Sequence, residues 1–291
     1  MTKFRKNEIM GAPSRRRLLK IGGAALLTTP FVSRAWASTT DINMLAWYGH
    51  AEPDVVAEYA AANNVRFVPK YYAGGDNMLA LIAQSPPGTY DIILSDAEFV
   101  QQLNLAGYIE PLEASDYPLD DMLHEDFKKF PGHWADGKLY SMMVRGGHLG
   151  VSYNKNSITE EEAQSYSCFW KPELEGKVGH FDWHLPNLGM MSLYNGNGGS
   201  LWDLDDAKWD AVRDTTLSLR KQAGGFFDYG GSFNGLKNGE MQAMCGIGDW
   251  ITAPLEKDGA PVASTIPKEG GIQFTESYSI GRDSPKADLA K

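Results

Sequence analysis

Strand-like and helix-like segments alternate three times between residues 42 and 105, and this alternation constrains the fold more than any other feature of the chain. The strand-like segments concentrate Ile, Val, Leu, Phe and Tyr, whereas the helix-like segments carry apolar residues at helical spacing. We expect strands at residues 42–47, 65–72 and 90–94, and helices at residues 53–63, 77–83 and 98–105. This order implies a mainly parallel α/β sheet with helices on both faces.

Polar and aromatic residues follow the first and third of these strands. Trp47, Tyr48 and His50 come directly after the first strand, and Asp96 and Glu98 come directly after the third. The carboxyl ends of parallel strands meet at one edge of a sheet, and ligands of such sheets bind beyond that edge. We therefore expect the two groups to lie on the same rim, where they could contact a ligand.

A second unit with mixed elements begins near residue 139. The residue patterns predict strands at 149–153, 177–183, 243–247 and 262–266, an aromatic loop or strand at 226–233, a turn at 256–259, and helices at 159–164, 189–194, 206–222 and 238–241. Thr159 and Glu162 have the spacing of a helix cap followed by an acid. Asp76 is expected to cap the second helix of the first unit. The paired glycines of the second unit lack the context of a nucleotide-binding loop and predict turns.

The first 37 residues have the composition of an export signal. Residues 14–20 read Ser-Arg-Arg-Arg-Leu-Leu-Lys, residues 21–32 are mostly apolar, and residues 35–37 read Ala-Trp-Ala. A basic segment, a short apolar segment and a small-x-small end define a secretory signal. The paired arginines resemble those of the twin-arginine signal, which exports folded proteins. We expect cleavage near Ala37 and a periplasmic protein that uses the twin-arginine translocase.

A membrane anchor is the alternative for this segment. A helix that crosses a bilayer needs about 20 mostly apolar residues. The apolar stretch has twelve residues and contains Thr28, Thr29 and Pro30. Its length and composition favour a cleaved signal, and an uncleaved tether remains open.

Loss of the signal makes the remaining chain strongly acidic. The whole chain has a formal net charge of −10, and the first 37 residues carry eight basic residues and one acidic residue, so the remainder has a charge of −17. The electric field of a protein with this negative charge repels nucleic acid and anionic lipid and attracts cations into an acidic cleft. We expect no nucleic-acid partner, although the charge could also serve solubility alone.

The sequence contains two cysteines, Cys168 and Cys245, and leaves open whether they form a disulfide. Export permits a disulfide, but a separation of 77 residues says nothing about their geometry. No Cys-x-x-Cys or mixed Cys/His spacing that indicates a metal centre occurs in the chain, and we expect neither a metal nor a cofactor.

Five segments together resemble the extracytoplasmic solute-binding proteins of ABC importers, of the spermidine/putrescine-binding type. Trp-Lys-Pro-Glu-x-x-Gly-Lys and Pro-Lys-Glu-Gly-Gly are the most specific of these motifs. The matching segments are the turn at Trp47, residues 90–93, residues 137–140 with 150–154, residues 169–177 and residues 266–272. The resemblance spans nearly all of residues 42–280.

The resemblance implies a type II periplasmic-binding-protein fold, with two α/β lobes, a hinge and a ligand between the lobes. Lobe 1 would comprise residues 38–145 and 272–291, and lobe 2 residues 146–271. A monomer that delivers its ligand to the membrane permease is implied. Members of the family usually continue beyond the position of Lys291, so the resemblance leaves open whether this is a shortened member.

The resemblance also assigns candidate ligand residues in lobe 1. Trp47 matches an aromatic ligand residue of the family, and Glu276 matches an acidic position. Asp96 stands where the family has a small hydroxyl residue, and Glu98 stands where it has an aromatic one. Acids and aromatics are therefore present, but their arrangement departs from that of polyamine binders.

In lobe 2, Asp182 and Trp183 fall in the segment that supplies acidic ligands in polyamine binders. The second acid expected there is missing, because this chain has Leu185 and Pro186 in its place. Asp249 and Trp250 fall in the segment that supplies an aromatic and a polar group. These departures leave the identity of the amine open.

Arg145 complicates the prediction of a purely cationic ligand. Its guanidinium could bind a ligand carboxylate, and together with Asp96 or Glu276 it would suit a zwitterion such as an amino-acid derivative. The alternative is that Arg145 forms a salt bridge in the hinge.

Two other functions remain as alternatives. A metal-ion carrier could use Tyr71 and Tyr72, or the alternating His180, Asp182 and His184, although one strand offers few ligands. An exported enzyme is disfavoured, since the chain contains no Gly-x-Ser-x-Gly or His-Glu-x-x-His motif.

Overall fold

A computed structural model describes residues 39–122 and 124–291, and all structural statements concern these two stretches. The export signal and the alternative anchor lie outside the described residues. Within the described residues, no helix combines the length and the apolar character needed to cross a membrane.

The strands of the described residues form two five-stranded sheets and one small hairpin. They are β1 (Thr40–Ala46), β2 (Val65–Tyr71), β3 (Ile92–Asp96), β4 (Trp134–Ala135), β5 (Lys138–Leu139), β6 (Met142–Leu149), β7 (Val151–Asn154), β8 (Val178–Phe181), β9 (Ala223–Phe227), β10 (Ala243–Cys245), β11 (Val262–Thr265) and β12 (Ile272–Ile280).

The helices cover the faces of the sheets or connect their strands. They are α1 (Pro53–Asn63), α2 (Gly75–Ala83), α3 (Ala97–Leu105), α4 (Leu119–Met122), α5 (Glu125–Lys128), α6 (His184–Tyr194), α7 (Asp206–Ser218), α8 (Tyr229–Lys237), α9 (Asp249–Lys257) and α10 (Ala287–Ala290).

Both large sheets mix parallel and antiparallel pairs. The first has the order β2-β1-β3-β12-β6, in which β1 runs parallel to β2 and β3, and β12 runs antiparallel to β3 and β6. The second has the order β11-β7-β10-β8-β9, with β8 parallel to β9 and β10, and β7 antiparallel to β10 and β11. The predicted α/β fold is confirmed, but the sheets are not mainly parallel, because each has two parallel and two antiparallel pairs.

Each sheet has apolar residues packed on both faces. In β1, Ile42 and Met44 point to one cluster, whereas Leu45 points to another that includes Met78 of α2 and Val100 of α3. All five residues of β3 are buried, as expected for a strand that is covered on both faces of its sheet.

Two adjacent connections carry the chain between the sheets. β6 passes into β7 at Gly150, and β11 passes into β12 through residues 266–271, with Leu149 paired to Ile272. A side chain at Gly150 would collide with the carbonyl oxygen of Thr265, so this crossing requires glycine. Residues 146–149, which we assigned to lobe 2, still pair with β12 in the first sheet.

Several local predictions for the second unit were wrong. Of residues 226–233, predicted as a loop or strand, residues 226 and 227 end β9, but residues 229–233 begin helix α8, which the Asp228 side chain caps through the amide of Gly231 at 2.7 Å. No helix was predicted at α9, which contains Pro254. The short helix expected at residues 238–241 is absent from this described stretch, and α6 begins at His184 rather than at residue 189.

Two details of the helix predictions also differ. The N-cap of α2 is Gly74, and Asp76 lies within the first turn. Residues 206–221 are helical as predicted, with Val212 and Leu219 buried, but Leu217 is exposed. The capping pair of Thr159 and Glu162 forms reciprocal hydrogen bonds at 2.8 and 3.2 Å, at the start of a short 3₁₀ turn.

Cys168 and Cys245 are both free and buried in the same apolar cluster of the second sheet. Burial raises the pKa of Cys168 to about 12. A thiol that stays protonated reacts poorly, so both cysteines act as small apolar residues of the core.

An ion pair between Asp91 and Lys286 connects the last residues of the described chain to the first sheet. Asp91 is fully buried and accepts hydrogen bonds from the backbone amide of Asn43 at 2.7 Å, from Ser284 Oγ at 2.6 Å and from Lys286 Nζ at 2.9 Å. Lys286 Nζ also donates to the carbonyl oxygen of Asp41 at 2.6 Å.

We predict that Lys286→Met lowers the free energy of unfolding by about 2–3 kcal/mol, because it leaves the Asp91 charge buried without its cation. Urea denaturation followed by circular dichroism measures the change. Lys257→Met, on an exposed position of α9, is the matched control and should change stability by less than about 0.5 kcal/mol. Equal stability of the two variants would contradict a structural role for the pair.

Candidate functional site

A cavity lies where the ends of strands from both sheets meet. Its volume is about 740 Å³, and it is open to solvent on one side. The segment after β1, the ends of β3 and β8, the middle of β6 and β12, and the first residues of α8 and α9 contribute to its wall. Loops that follow parallel strands thus converge on one site, as the order of elements predicts.

Aromatic rings cover one part of the wall. Trp47, directly after β1, lies 4.7 Å from Tyr72, 5.6 Å from Trp183 and 6.3 Å from Phe181, measured between ring centroids. Trp47 and Tyr72 belong to the first unit, whereas Phe181 and Trp183 follow from β8 of the second sheet. Their contacts hold the two sides of the cavity together through apolar surface.

A second aromatic group continues from the first, because Phe181 also lies 5.7 Å from Trp250. Tyr229, the first residue of α8, stacks on Trp250 of α9 with a centroid distance of 5.7 Å and an interplanar angle of 19°. Tyr48 lies 5.0 Å from Tyr229. The electron-rich faces of such rings attract cations.

Trp183 reaches this position because Gly74 has no side chain. A Cβ at residue 74 would lie 3.0 Å from Cδ1 of Trp183, and Gly74 also has a φ of +82°, which disfavours other residues. The glycine that begins α2 therefore provides room for the indole ring.

Asp96 is the buried carboxylate of the cavity wall that lacks a cationic partner among the described residues. It ends β3, and its Oδ2 accepts a hydrogen bond of 3.3 Å from Nε1 of Trp47. Burial, with the negative charges of Glu98 and Glu276 nearby, raises the pKa of Asp96 well above its ordinary value. A cation bound in the cavity would offset both effects and favour the ionised carboxylate.

Glu276 is also buried, but it is paired. Arg145 donates from Nε to Oε2 at 2.6 Å and from Nη2 to Oε1 at 2.9 Å, and His50 Nε2 lies 2.9 Å from Oε2. Tyr278 contacts the other ring nitrogen of His50 at 2.9 Å. Burial alone would raise the pKa of Glu276, but the hydrogen bonds from His50 and Arg145 outweigh it and lower the pKa.

The sequence-predicted residues are distributed unevenly around the cavity. Most of them line its wall: Trp47, Tyr48, Asp96, Arg145, Asp182, Trp183, Trp250 and Glu276. His50 lies behind Glu276, and Glu98 lines a neighbouring cavity. Asp249 is exposed at the first position of α9 and lines neither cavity.

Sequence reasoning missed Phe181, Tyr229 and Phe233 as residues of the cavity wall. The aromatic run from residue 226 to 233 was visible, but it was predicted as a loop or strand without a role in the site. The N-cap position of Asp228 was the signal that could have placed Tyr229 at the start of a helix.

Among the described residues, no group of three or more His, Cys, Asp or Glu side chains is arranged to hold a metal ion. Of the alternating residues considered for this role, His180 contacts Asn187, and His184 lies 3.7 Å from Asp76.

We predict that Arg145→Met lowers the free energy of unfolding at neutral pH by about 2 kcal/mol, because Glu276 stays buried and loses a bidentate partner. Since the folded protein lowers the pKa of Glu276, the stabilisation is present above the unfolded pKa and is lost as the pH falls through the folded value. The difference from the unmodified protein should therefore shrink in acid.

Denaturation at several pH values tests this expectation. Arg213→Met removes two exposed ion pairs of α7, with Asp210 and Asp214, and is the matched control, expected to cost less than about 1 kcal/mol at any pH. A cost of Arg145→Met that is the same at neutral and acidic pH would contradict the assignment of the effect to Glu276.

Comparisons with known proteins agree on one family. The family model described as bacterial extracellular solute-binding protein matches residues 54–291. Spermidine/putrescine-binding periplasmic protein 1 of Haemophilus influenzae is 23% identical over 252 residues, covering 85% of this chain and 68% of the relative. The putrescine-binding periplasmic protein PotF of Escherichia coli is 23% identical over 282 residues, covering 92% of this chain and 75% of the relative.

A solved structure has the same fold. It is described as a putative spermidine/putrescine ABC transporter from Listeria monocytogenes and aligns with a TM-score of 0.76 at 18% sequence identity. The alignment covers 86% of this chain and 76% of that one.

Proposed function

The chain belongs to the bacterial extracellular solute-binding protein family, and from this premise we propose that it captures a small cationic or zwitterionic amine for an ABC importer. The cavity binds the amine in the periplasm, and the loaded protein delivers it to the permease subunits. Relatives named for binding spermidine and putrescine support this class of ligand. Because they are named as transport-binding proteins, they favour a carrier over an enzyme.

One observation carries the proposal: a buried carboxylate, which has no cationic partner in the described part of the chain, lies beside an aromatic wall. Asp96 can accept charge-assisted hydrogen bonds from an ammonium group. Trp47 contacts Asp96, and Trp183 contacts Trp47. Each ring face that meets a cation contributes about 0.5–2 kcal/mol, and the rings can also cover the methylene groups of an amine.

The charges around the cavity favour a cation over an anion. The described wall contains the acids Asp96, Asp182, Asp228 and Glu276, whereas Arg145 is its one Lys or Arg. Arg145 and Glu276 neutralise each other through their bidentate pair. The remaining charge is negative, and the charge of −17 expected for the exported chain adds to it.

A zwitterionic ligand is supported by a separate feature of Arg145. Its side chain is 42% exposed at the cavity, and both hydrogen bonds to Glu276 use Nε and Nη2. Nη1 makes no hydrogen bond to another described residue, so it is available to a ligand carboxylate. Asp96 and Arg145 could then bind the two ends of an amino-acid derivative.

Closure of two lobes around the ligand is part of the proposal. Lobe 1 is built on the sheet of β1, and lobe 2 on the sheet of β7, with the crossings near Gly150 and residues 266–271 as the hinge. Hinge closure is a general route by which binding of a ligand changes the surface that a partner reads.

We predict that Asp96→Asn weakens binding of putrescine or spermidine about tenfold to hundredfold, because a hydrogen bond to a charged group contributes about 1.5–3 kcal/mol. The cavity contains Trp47, Trp183 and Trp250, so tryptophan emission reports binding. Asp249→Asn makes the same change of charge at an exposed acid outside the cavity and should leave the affinity unchanged. Emission that responds to Fe³⁺ or Zn²⁺ but to no amine would refute the proposal.

The affinity should also depend on pH through Asp96. Since the pKa of Asp96 in the free protein is raised, an ammonium ligand must displace a proton below that pKa. The affinity for an ammonium ligand is therefore expected to rise with pH below the pKa of Asp96, by at most tenfold per pH unit. Above that pKa it should level off. Asp96→Asn should abolish this dependence, whereas Asp249→Asn should retain it.

We also propose export by the twin-arginine translocase, supported by the Ser-Arg-Arg-x-Leu-Leu-Lys order of residues 14–20. We predict that changing Arg15 and Arg16 together to Lys leaves the precursor in the cytoplasm, whereas changing Arg5 and Lys6 together to Gln does not. Cell fractionation with an antibody against the protein measures the distribution. Normal export of the double-lysine variant would exclude this route.

A further inference from the structure

A second cavity of about 420 Å³ adjoins the main one. Leu149, Trp183 and Phe274 line both cavities, so the same three side chains separate them. The second cavity extends over α6, the loop of residues 197–202 and the beginning of β12. The second cavity therefore begins directly behind side chains that a ligand in the main cavity would contact.

The side chains of the second cavity differ from those of the main cavity. Ser192, Asn197 and Gln273 contribute polar groups, and none of these side chains makes a hydrogen bond to another described residue. The amide of Asn197 bonds the carbonyl of Ser192 at 3.0 Å, and this backbone contact holds the two side chains in the same turn. Unused donors and acceptors that face a cavity suit a ligand that hydrogen-bonds.

Apolar surface accompanies these polar groups. Leu185, Leu193 and Leu201 line the cavity, and the Trp202 side chain is 67% exposed at its edge. A chain of hydroxylated carbons presents C–H groups to such a surface and O–H groups to the amides. A purely aliphatic chain would leave the polar groups of Asn197 and Gln273 without partners.

The second cavity carries less charge than the main one. Glu98, in the first turn of α3, is its only charged residue among those described, whereas the described wall of the main cavity has four acids and Arg145. Desolvation by the surrounding protein raises the pKa of Glu98. The protonated form of this carboxyl group can donate a hydrogen bond to a hydroxyl group of a ligand.

We propose that the second cavity is a compartment of the ligand site that holds an uncharged, polyhydroxylated tail of the bound amine. The ammonium group binds at Asp96, and the tail passes Trp183 to reach Asn197 and Gln273. The proposal rests on the proposed function, and it makes the natural ligand an amine with a hydrogen-bonding tail rather than a plain polyamine.

Two probes of equal chain length test the compartment. Glucamine (1-amino-1-deoxysorbitol) and n-hexylamine both have six carbons and one ammonium group, but only glucamine carries hydroxyl groups. The double variant Asn197→Ala/Gln273→Ala should weaken glucamine about tenfold or more, since each lost hydrogen bond costs roughly threefold to tenfold. The same variant should change the affinity for n-hexylamine and putrescine by less than about twofold.

A filling variant gives an independent measurement. Gln273 is exposed on β12, where a large aromatic residue suits a strand, so Gln273→Trp should occupy the compartment without unfolding the protein. It should weaken glucamine and spare putrescine. Gln102→Ala, at an exposed position of α3 outside both cavities, is the control and should bind all three probes as the unmodified protein does. Circular dichroism checks that every variant is folded.

The outcomes separate this proposal from the proposed function. Binding of putrescine or n-hexylamine without binding of glucamine overturns the compartment and leaves amine capture intact. Equal weakening of glucamine and n-hexylamine binding by the double variant would also overturn the compartment and leave amine capture intact. If none of the three amines binds to the unmodified protein, the proposed function itself fails, and the compartment fails with it.

Discussion

The ion pair between Arg145 and Glu276 is the interaction on which the candidate site depends. The two residues are direct partners in the ladder of β6 and β12, and they stand beside the crossings between the sheets. Because Arg145 and His50 satisfy the buried charge of Glu276, that acid can lie in the cavity wall without destabilising the fold. The pair also determines the charge of the cavity, since it leaves Asp96 as the buried acid of the wall that has no cation beside it among residues 39–122 and 124–291.

Aromatic contacts and charge act together at this site. The rings around Trp47 exclude water from Asp96, which strengthens any interaction of its carboxylate with a bound cation and penalises the carboxylate in the empty cavity. The same rings connect the two sheets, as the contact between Trp47 and Trp183 illustrates. Ligand binding and the relative position of the sheets are therefore linked through shared side chains.

The elements that the sequence predicted well are those whose signal is local. The strands and helices between residues 40 and 105 follow from continuous apolar runs, helical spacing and turn residues, and they agree with the structure within about two residues. The helices α8 and α9 were missed because their sequences mix Gly, aromatic residues and Pro254, which have low helix propensity. Their stability comes from packing of Leu236, Ile251 and Leu255 against β10 and β11, which no local pattern reveals.

The sequence by itself determined the α/β class, the acidic charge and the two strand ends that carry Trp47 and Asp96. These features follow from periodicity and from the rule that ligands bind beyond parallel strands. Only the tertiary structure decided that Arg145 pairs with Glu276, that Asp249 lies outside the cavity and that Trp183 separates two cavities. Contacts between residues more than 100 positions apart depend on how the two sheets meet, and that geometry arises from packing across the whole molecule rather than from any one segment.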